Sequence, residues 1–401
     1  MDIFDKTRTY TRAKEAIELG VYPYFQPMDK SEGTVAYYDG RPIIMLGSNN
    51  YLGLTTDPRV KQAAQDAIEK YGTSCTGSRY LNGTIEIHLE LDRRLAEFVG
   101  KEAALTFTTG YQTNLGTITA LCGKNDFLIL DKEAHACVVD ASLMSPSKLR
   151  RFAHNDLDSL DRMLSSLPDN VGKIVVVDGI YSMGGEIAPI PETVEVCQKH
   201  GARLMIDDAH GVGVLGKGRG TAAHFDLTEK VDLITGTFSK SFASIGGFVA
   251  GDAEVIHFIQ HNARPMIFSA SMAPPNVAAV LAAVDIIEQE PERVERLWEN
   301  AEFMREGLRS LGLDIGKSNT PIIPIITNDD YRTVLAWRAL MDEGVYTNSV
   351  VTPAAPKSML RCSVMATHTR DQLEKALVAF EKVGRNLDLM IEPEVAEVSD
   401  L

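Results

Sequence analysis

Arg203-Leu204-Met205-Ile206-Asp207-Asp208-Ala209-His210 is the stretch that decides the fold. A short apolar run stops at two acids and a histidine, and Gly211 follows. Such a run bounded by turn chemistry reads as a strand buried in a sheet. Downstream, Leu233-Ile234-Thr235-Gly236-Thr237 has the same form and leads into Phe238-Ser239-Lys240-Ser241. Working outward, further strands are expected at residues 103–107, 127–130, 149–152, 174–177 and 248–250. Amphipathic stretches at 156–167 and 191–200 lie between them. Strand and helix alternating in this way imply an α/β fold, a mostly parallel seven-stranded sheet with helices on both faces. In open parallel sheets ligands bind at the carboxyl ends of the strands, so the residues just after each strand are the ones to read for chemistry.

The flanks differ. Asp57 and Pro58 suit the N-cap and first position of a helix over 58–71, whose Val60, Ala63, Ala64, Ala67, Ile68 and Tyr71 form one stripe. After about residue 275 long helices follow, among them 292–311 and one carrying Leu373, Ala376, Leu377, Phe380, Val383 and Leu387. Strands at 321–326 and 359–364 complete a smaller C-terminal α+β domain. The expected organisation is an N-terminal segment 1–45, a large domain 46–285 and a small domain 286–401. The acidic residues after Leu389 are expected to fray.

The 401 residues are 44% apolar and 24% charged, which excludes wholesale disorder and fibrous repeats. A net charge of -15, from 40 basic and 55 acidic residues, argues against a nucleic-acid partner. Five cysteines without a CxxC pair suit neither a disulfide scaffold nor a structural zinc site, so no metal is expected and a reducing cytoplasm is the simplest location. Met1–Tyr10 lacks the apolar core of a signal peptide, and no apolar run is long enough to span a bilayer. A peripheral membrane contact stays open.

Six places carry chemistry, and each has a bland reading beside the functional one. Gly211, Gly213 and Gly216 form a GxGxxG, but Lys217-Gly218-Arg219-Gly220 follows where a dinucleotide fingerprint needs a helix, so this is a loop. Asp207-Asp208-Ala209-His210 taken alone is more often a strand-end turn whose acids cap the next element. Lys240 among small residues is an accessible amine that burial can activate, although most such lysines are simply solvated. Thr108-Thr109-Gly110-Tyr111 is either an anion site at a helix start or an ordinary turn. His135 follows a strand end. Arg361 on an apolar strand needs an anion, from a substrate or from an internal carboxylate. Together an anion cradle, an aromatic stacker, an acid, a second imidazole, a lysine and a carboxylate-binding arginine suit pyridoxal phosphate, which needs a lysine to hold it, a phosphate site and an acid for its pyridine nitrogen.

The chain resembles the α-oxoamine synthases, pyridoxal-phosphate enzymes of fold type I. The resemblance spans about Tyr22 to Leu387 and rests on Asp207-Asp208-Ala209-His210-Gly211 followed by Gly236-Thr237-Phe238-Ser239-Lys240. It implies an acyltransferase that joins an amino acid to an acyl-CoA with loss of carbon dioxide. Tyr22-Pro23-Tyr24-Phe25, residues 47–54 (which include Asn50), residues 77–84 and residues 264–271 resemble the members that use L-serine and palmitoyl-CoA in the first step of sphingolipid biosynthesis. By that resemblance Lys240 carries the cofactor and moves the α-proton, and Asp207 pairs with the pyridine nitrogen. His135 stacks on the ring. His210 and Ser182 lie near its phenolic oxygen. Gly110, Tyr111, Thr237 and Ser239 hold the phosphate. Ser269, where the family pattern has threonine, and Ala270 reach across a homodimer to the partner's site. Arg361 and Asn50 bind substrate. The alternatives are a glycine C-acetyltransferase or 8-amino-7-oxononanoate synthase type, a non-catalytic subunit on the same fold, and a nicotinamide-dependent dehydrogenase built on Gly211–Gly216.

Overall fold

The computed structural model describes residues 2–390, so the acidic stretch from residue 391 onward lies outside the described residues. In chain order its strands are β1 (Lys30–Glu32), β2 (Val35–Tyr38), β3 (Arg41–Met45), β4 (Ala103–Phe107), β5 (Phe127–Asp131), β6 (Lys148–Phe152), β7 (Lys173–Asp178), β8 (Arg203–Asp207), β9 (Leu233–Thr237), β10 (Gly247–Gly251), β11 (Ile322–Ile326), β12 (Val345–Tyr346), β13 (Asn348–Val350) and β14 (Met359–Ser363). They fall into two compact units, Asn49–Trp298 and the described residues on either side of it.

In Asn49–Trp298 seven strands form one sheet in the order β4-β10-β9-β8-β7-β5-β6. Strands β6, β5, β7, β8 and β9 are parallel, and β10 pairs antiparallel with both β4 and β9. Every residue of β5 and β7 is buried. That explains their unbroken apolar runs, since a strand covered on both faces has no solvent side to alternate with. On one face Leu128, Leu130, Val176, Met205 and Val249 share a core with Ile118, Val138 and Ile259 of the covering helices. The helix Pro58–Tyr71 starts where the sequence places it, with Asp57 Oδ1 accepting from the Arg59 N–H at 3.0 Å.

One close approach sets up the ligand edge of the sheet. The helix Gly110–Leu121 follows β4, and β10 begins at Gly247. A Cβ built on Gly247 would lie 2.7 Å from Gly110 Cα and 2.6 Å from the Gly236 oxygen. Lacking Cβ atoms, these residues let the helix start sit directly against the ends of β9 and β10.

The GxGxxG run is a loop, as expected. It ends in the single turn Gly216–Gly218, where exposed Lys217 has φ 55°, and no helix opens at its glycines.

The other unit holds two sheets, β1-β2-β3-β12 and β11-β14-β13. Strands β1 to β3 form an antiparallel meander, and β12 pairs parallel with β3. The β2–β3 turn is Asp39-Gly40, both at positive φ (51° and 71°), the geometry that Asp-Gly favours in two-residue hairpins. Ile43 and Leu46 enter one core with Leu308, Ile323, Trp337, Leu360 and Phe380, so the N-terminal strands and the C-terminal residues fold around a common interior. Among the described residues no helix is long and apolar enough to cross a membrane.

Candidate active site

A cavity of about 320 Å³ opens at the carboxyl ends of β8 and β9. Its lining includes Gly110, Tyr111, His135, Asp207, His210, Thr237, Ser239 and Lys240, eight residues singled out from the sequence. The volume is at the lower end of the range for small-molecule and cofactor pockets.

Asp207 ends β8 and is 5% exposed. Its Oδ2 accepts from Asn114 Nδ2 at 2.7 Å and its Oδ1 from the Ala209 N–H at 3.2 Å. Asn114 is held in turn by the Thr235 hydroxyl, which donates to Asn114 Oδ1 at 2.8 Å. The carboxylate is therefore oriented by donors on two sides. Its neighbour Asp208 does what the bland reading assigned to the pair. It accepts from the N–H of Thr221 at 2.7 Å, the first residue of the helix Thr221–His224. Burial pushes Asp208 up to about 6, against the two hydrogen bonds from Thr221. Burial, reinforced by the Asp207 charge, holds the cavity residue Asp178 well above the usual carboxylate range.

His135 is the N-cap of the helix Ala136–Met144, and its own ring does the capping. Nδ1 accepts from the Cys137 N–H at 3.3 Å, and Cys137 Sγ lies 2.9 Å from the same nitrogen. The ring meets solvent through the cavity mouth but is packed by protein elsewhere. That desolvation, joined by the Lys240 charge and opposed by Asp207, lowers its pKa from the ordinary value. His210 is buried, with Nδ1 2.7 Å from the hydroxyl of Tyr51. Lys240 follows β9 and is half-buried.

The other end of the cavity is built for an anion. Thr109 caps the helix Gly110–Leu121 through Gln112, leaving the N–H groups of Gly110 and Tyr111 in a first turn that has no intrahelical acceptors. Thr237 Oγ1 and Ser239 Oγ lie 2.9 Å apart beside them. A Cβ on Gly110 would come within 2.8 Å of Thr237 Cβ and Oγ1. Backbone donors, two hydroxyls and the positive end of a helix dipole form a phosphate-sized cradle. Tyr111 is exposed and its hydroxyl donates to Asp140.

The remaining expected residues do not line this cavity. Asn50 Nδ2 donates to Thr55 Oγ1 at 2.8 Å, one residue before Tyr51. Ser182 follows Tyr181 in the turn after β7. Ser269 Oγ accepts from Gln112 Nε2 at 3.1 Å, and Ala270 is exposed beside it. Arg361 belongs to the other unit, on β14, where it is 4% exposed and Nη1 donates to Ser363 Oγ at 2.9 Å. Conversely, Asn114, Cys137, Asp178 and Tyr51 belong to the site or brace it and were not singled out. Asn114 had one usable signal, a polar residue four positions after Gly110 and so on the same helix face.

The end of β5 and the loops after β6 and β7 are also tied together. His154 Nδ1 and Nε2 lie 2.9 Å from Asp131 Oδ1 and Glu186 Oε2 respectively. Burial disfavours the charged ring, but these two bonds and the surrounding carboxylates outweigh it and raise His154 to about 9. His135, Cys137 and Asp207 also place nitrogen, sulfur and oxygen within 4.8 Å of one another, a spacing that could hold a metal. The Asn114 amide already donates to two of the three, to Cys137 Sγ at 3.1 Å as well as to Asp207.

The chain is 49% identical to the serine palmitoyltransferase of Sphingobacterium spiritivorum over 373 residues, 92% of this chain and 94% of that one. It is 42% identical to the 8-amino-7-oxononanoate synthase of Symbiobacterium thermophilum over 377 residues, 93% and 96% of the two chains. A high-resolution structure of SPT with a PLP internal aldimine matches with a TM-score of 0.95 at 36% identity, covering 97% of this chain and 100% of the other. The family model for aminotransferase class I and II matches residues 41–380. By its fold, its cavity and these likenesses, the chain belongs to the aminotransferase class I and II family.

Proposed function

We propose that this protein is a pyridoxal-phosphate-dependent acyltransferase that condenses L-serine with a long-chain acyl-CoA, palmitoyl-CoA above all, releasing CoA and carbon dioxide. The observation that carries the reading is one cavity holding a lysine amine, a braced carboxylate and an anion cradle closed to any Cβ. That donor set fits the cofactor: Gly110, Tyr111, Thr237 and Ser239 for its phosphate, Asp207 for its pyridine nitrogen, and Lys240 for its carbonyl carbon. When bound, the cofactor supplies an electron sink for a carbanion at the substrate's α-carbon.

The protein's own residues divide the remaining work. Asp207, fixed by Asn114 and Ala209, presents an acceptor oxygen that keeps the pyridine nitrogen protonated. Such a charge-assisted bond is worth roughly 1.5–3 kcal/mol. Lys240 takes the α-proton, its side chain lining the same cavity. His135 would cover the face of the bound ring, and His210, steadied by Tyr51, would serve its phenolic oxygen, with Ser182 reaching it from outside the cavity lining. Arg361 binds the substrate carboxylate, with Asn50 contributing to the substrate site. Ser269 and Ala270, outside the cavity of their own protomer, suit a homodimer in which each copy completes the other's site. Five free cysteines, four of them buried, suit a reducing cytoplasm.

The identity to the 8-amino-7-oxononanoate synthase favours one second reading, condensation with alanine or glycine and a different acyl-CoA. CoA release measured over a panel of amino acids and acyl chain lengths separates the two. Serine with palmitoyl-CoA should give the highest kcat/KM. Turnover with alanine or glycine and none with serine would overturn the proposal.

A further inference from the structure

We infer that Cys137 and the start of the helix Ala136–Met144 lock His135 in one tautomer, with the proton on Nε2, so that the ring serves the cavity as a hydrogen-bond donor and not as a base. Cys137 and Asn114 are then positioning residues for this site. The inference rests on the functional reading only for what the donor meets.

A backbone N–H can only donate, and the Cys137 N–H points at His135 Nδ1 at 3.3 Å. Nδ1 must therefore be an acceptor, and in a neutral imidazole the proton then sits on Nε2. The thiol acts the same way. Cys137 Sγ is 2.9 Å from Nδ1 and 3.8 Å from Asp207 Oδ2, so the S–H has its nearer acceptor in the ring. Burial, with Asp207 nearby, pushes the thiol well above its ordinary pKa, which keeps it a donor. Asn114 fixes the sulfur from behind, donating to Sγ at 3.1 Å while it also holds Asp207. Buried Thr235, Asn114 and Cys137 form one relay that ends at a ring nitrogen of His135 in the cavity mouth, with Asp207 on a branch.

The groups around His135 agree with a neutral ring. Its backbone N–H donates to Asp178 at 3.3 Å, a carboxyl whose pKa burial raises well above the usual range, and desolvation and Lys240 both oppose an imidazolium. Only the Asp207 charge pulls the other way, and Asn114 and Ala209 already donate to that carboxylate. A ring whose Nδ1 is committed has a single free function, donation from Nε2. It can bind an anionic substrate group such as a carboxylate, and it cannot accept the α-proton there. Proton transfer is left to Lys240.

The test is nitrogen NMR of the full-length holoenzyme labelled with ¹⁵N-histidine, the His135 signals being those lost in His135→Gln. At neutral pH His135 should show protonated Nε2 and bare Nδ1. In Cys137→Ala, with only the backbone donor left, exchange between tautomers should appear and KM for the amino acid should rise up to about tenfold, the loss of one hydrogen bond, with kcat changing less. Cys137→Ser, which keeps a donor, should restore both. A wild-type His135 protonated on Nδ1, or doubly protonated, would overturn the inference. A Cys137→Ala spectrum identical to wild type would remove the cysteine from it. Because the tautomer is read without turnover, failure of the serine reading would leave this result standing, and the reverse also holds.

Discussion

Replacing His154 with glutamine removes a cation that ties the end of β5 to the loops after β6 and β7. The ring lies between Asp131 and Glu186 at 2.9 Å from each, its side chain only 19% exposed. A rise from the ordinary 6.5 to about 9 means the fold favours the charged ring by roughly 3 kcal/mol. The sign follows from the direction. Because the folded value is the higher one, the contribution is complete below pH 6.5, declines as pH rises, and is gone above about 9. The stability gap between wild type and His154→Gln should therefore be about 3 kcal/mol at pH 6, about 1.5 kcal/mol at pH 8 and little more than the lost ring packing at pH 9.5. That packing is the perpendicular contact of His154 with Tyr181, ring centres 4.3 Å apart. Urea titrations of both proteins at the three pH values read the gap directly, and at pH 6 it corresponds to a melting shift of roughly 4 °C for a chain of this length. A gap that is the same at pH 6 and pH 9.5 would refute the reasoning, since the ring would then act by shape and not by charge.

Gly110→Ala places a methyl 2.8 Å from Thr237 Cβ and Oγ1, so the cradle must widen or lose a donor. Pyridoxal-phosphate affinity, followed by fluorescence, should fall by about tenfold or more, the loss of one charge-assisted bond, while the melting temperature of the cofactor-free protein stays near wild type. Unchanged affinity would remove the phosphate from this end of the cavity. Arg361→Ala should weaken serine binding by well over tenfold and acyl-CoA binding far less, because a guanidinium holds a carboxylate with two parallel bonds. A lowered melting temperature with unchanged serine affinity would instead assign Arg361 to an internal partner.

Most strands of the large sheet were legible because they are short apolar runs between turn signals; the edge strand β6, Lys148-Leu149-Arg150-Arg151-Phe152, carries three basic residues and only Phe152 is buried. The ligand edge was legible because Asp207 and Lys240 stand just past two of those runs. Strands β1 to β3 were harder. They are short, and β3 begins Arg41-Pro42, which breaks the apolar pattern, although Asp39-Gly40 is a hairpin signal that the residues do carry. The division of labour between Asp207 and Asp208 could not be read from the tetrapeptide. It depends on Asn114 and Thr221 arriving from elsewhere in the chain. Cys137 was counted only as a cysteine without a pair, because its role exists only once a helix start turns the ring of His135 back onto it.

The central claim is that Lys240 holds the cofactor through its side-chain nitrogen. Sodium borohydride reduction of the purified holoenzyme, followed by digestion and peptide mass spectrometry, tests it without reference to any substrate. The account predicts a phosphopyridoxyl mass on the peptide containing Lys240, with the yellow colour of the protein lost on reduction, and no such adduct in Lys240→Ala. An adduct on a different lysine, or a colourless protein that takes up no pyridoxal phosphate, would contradict it.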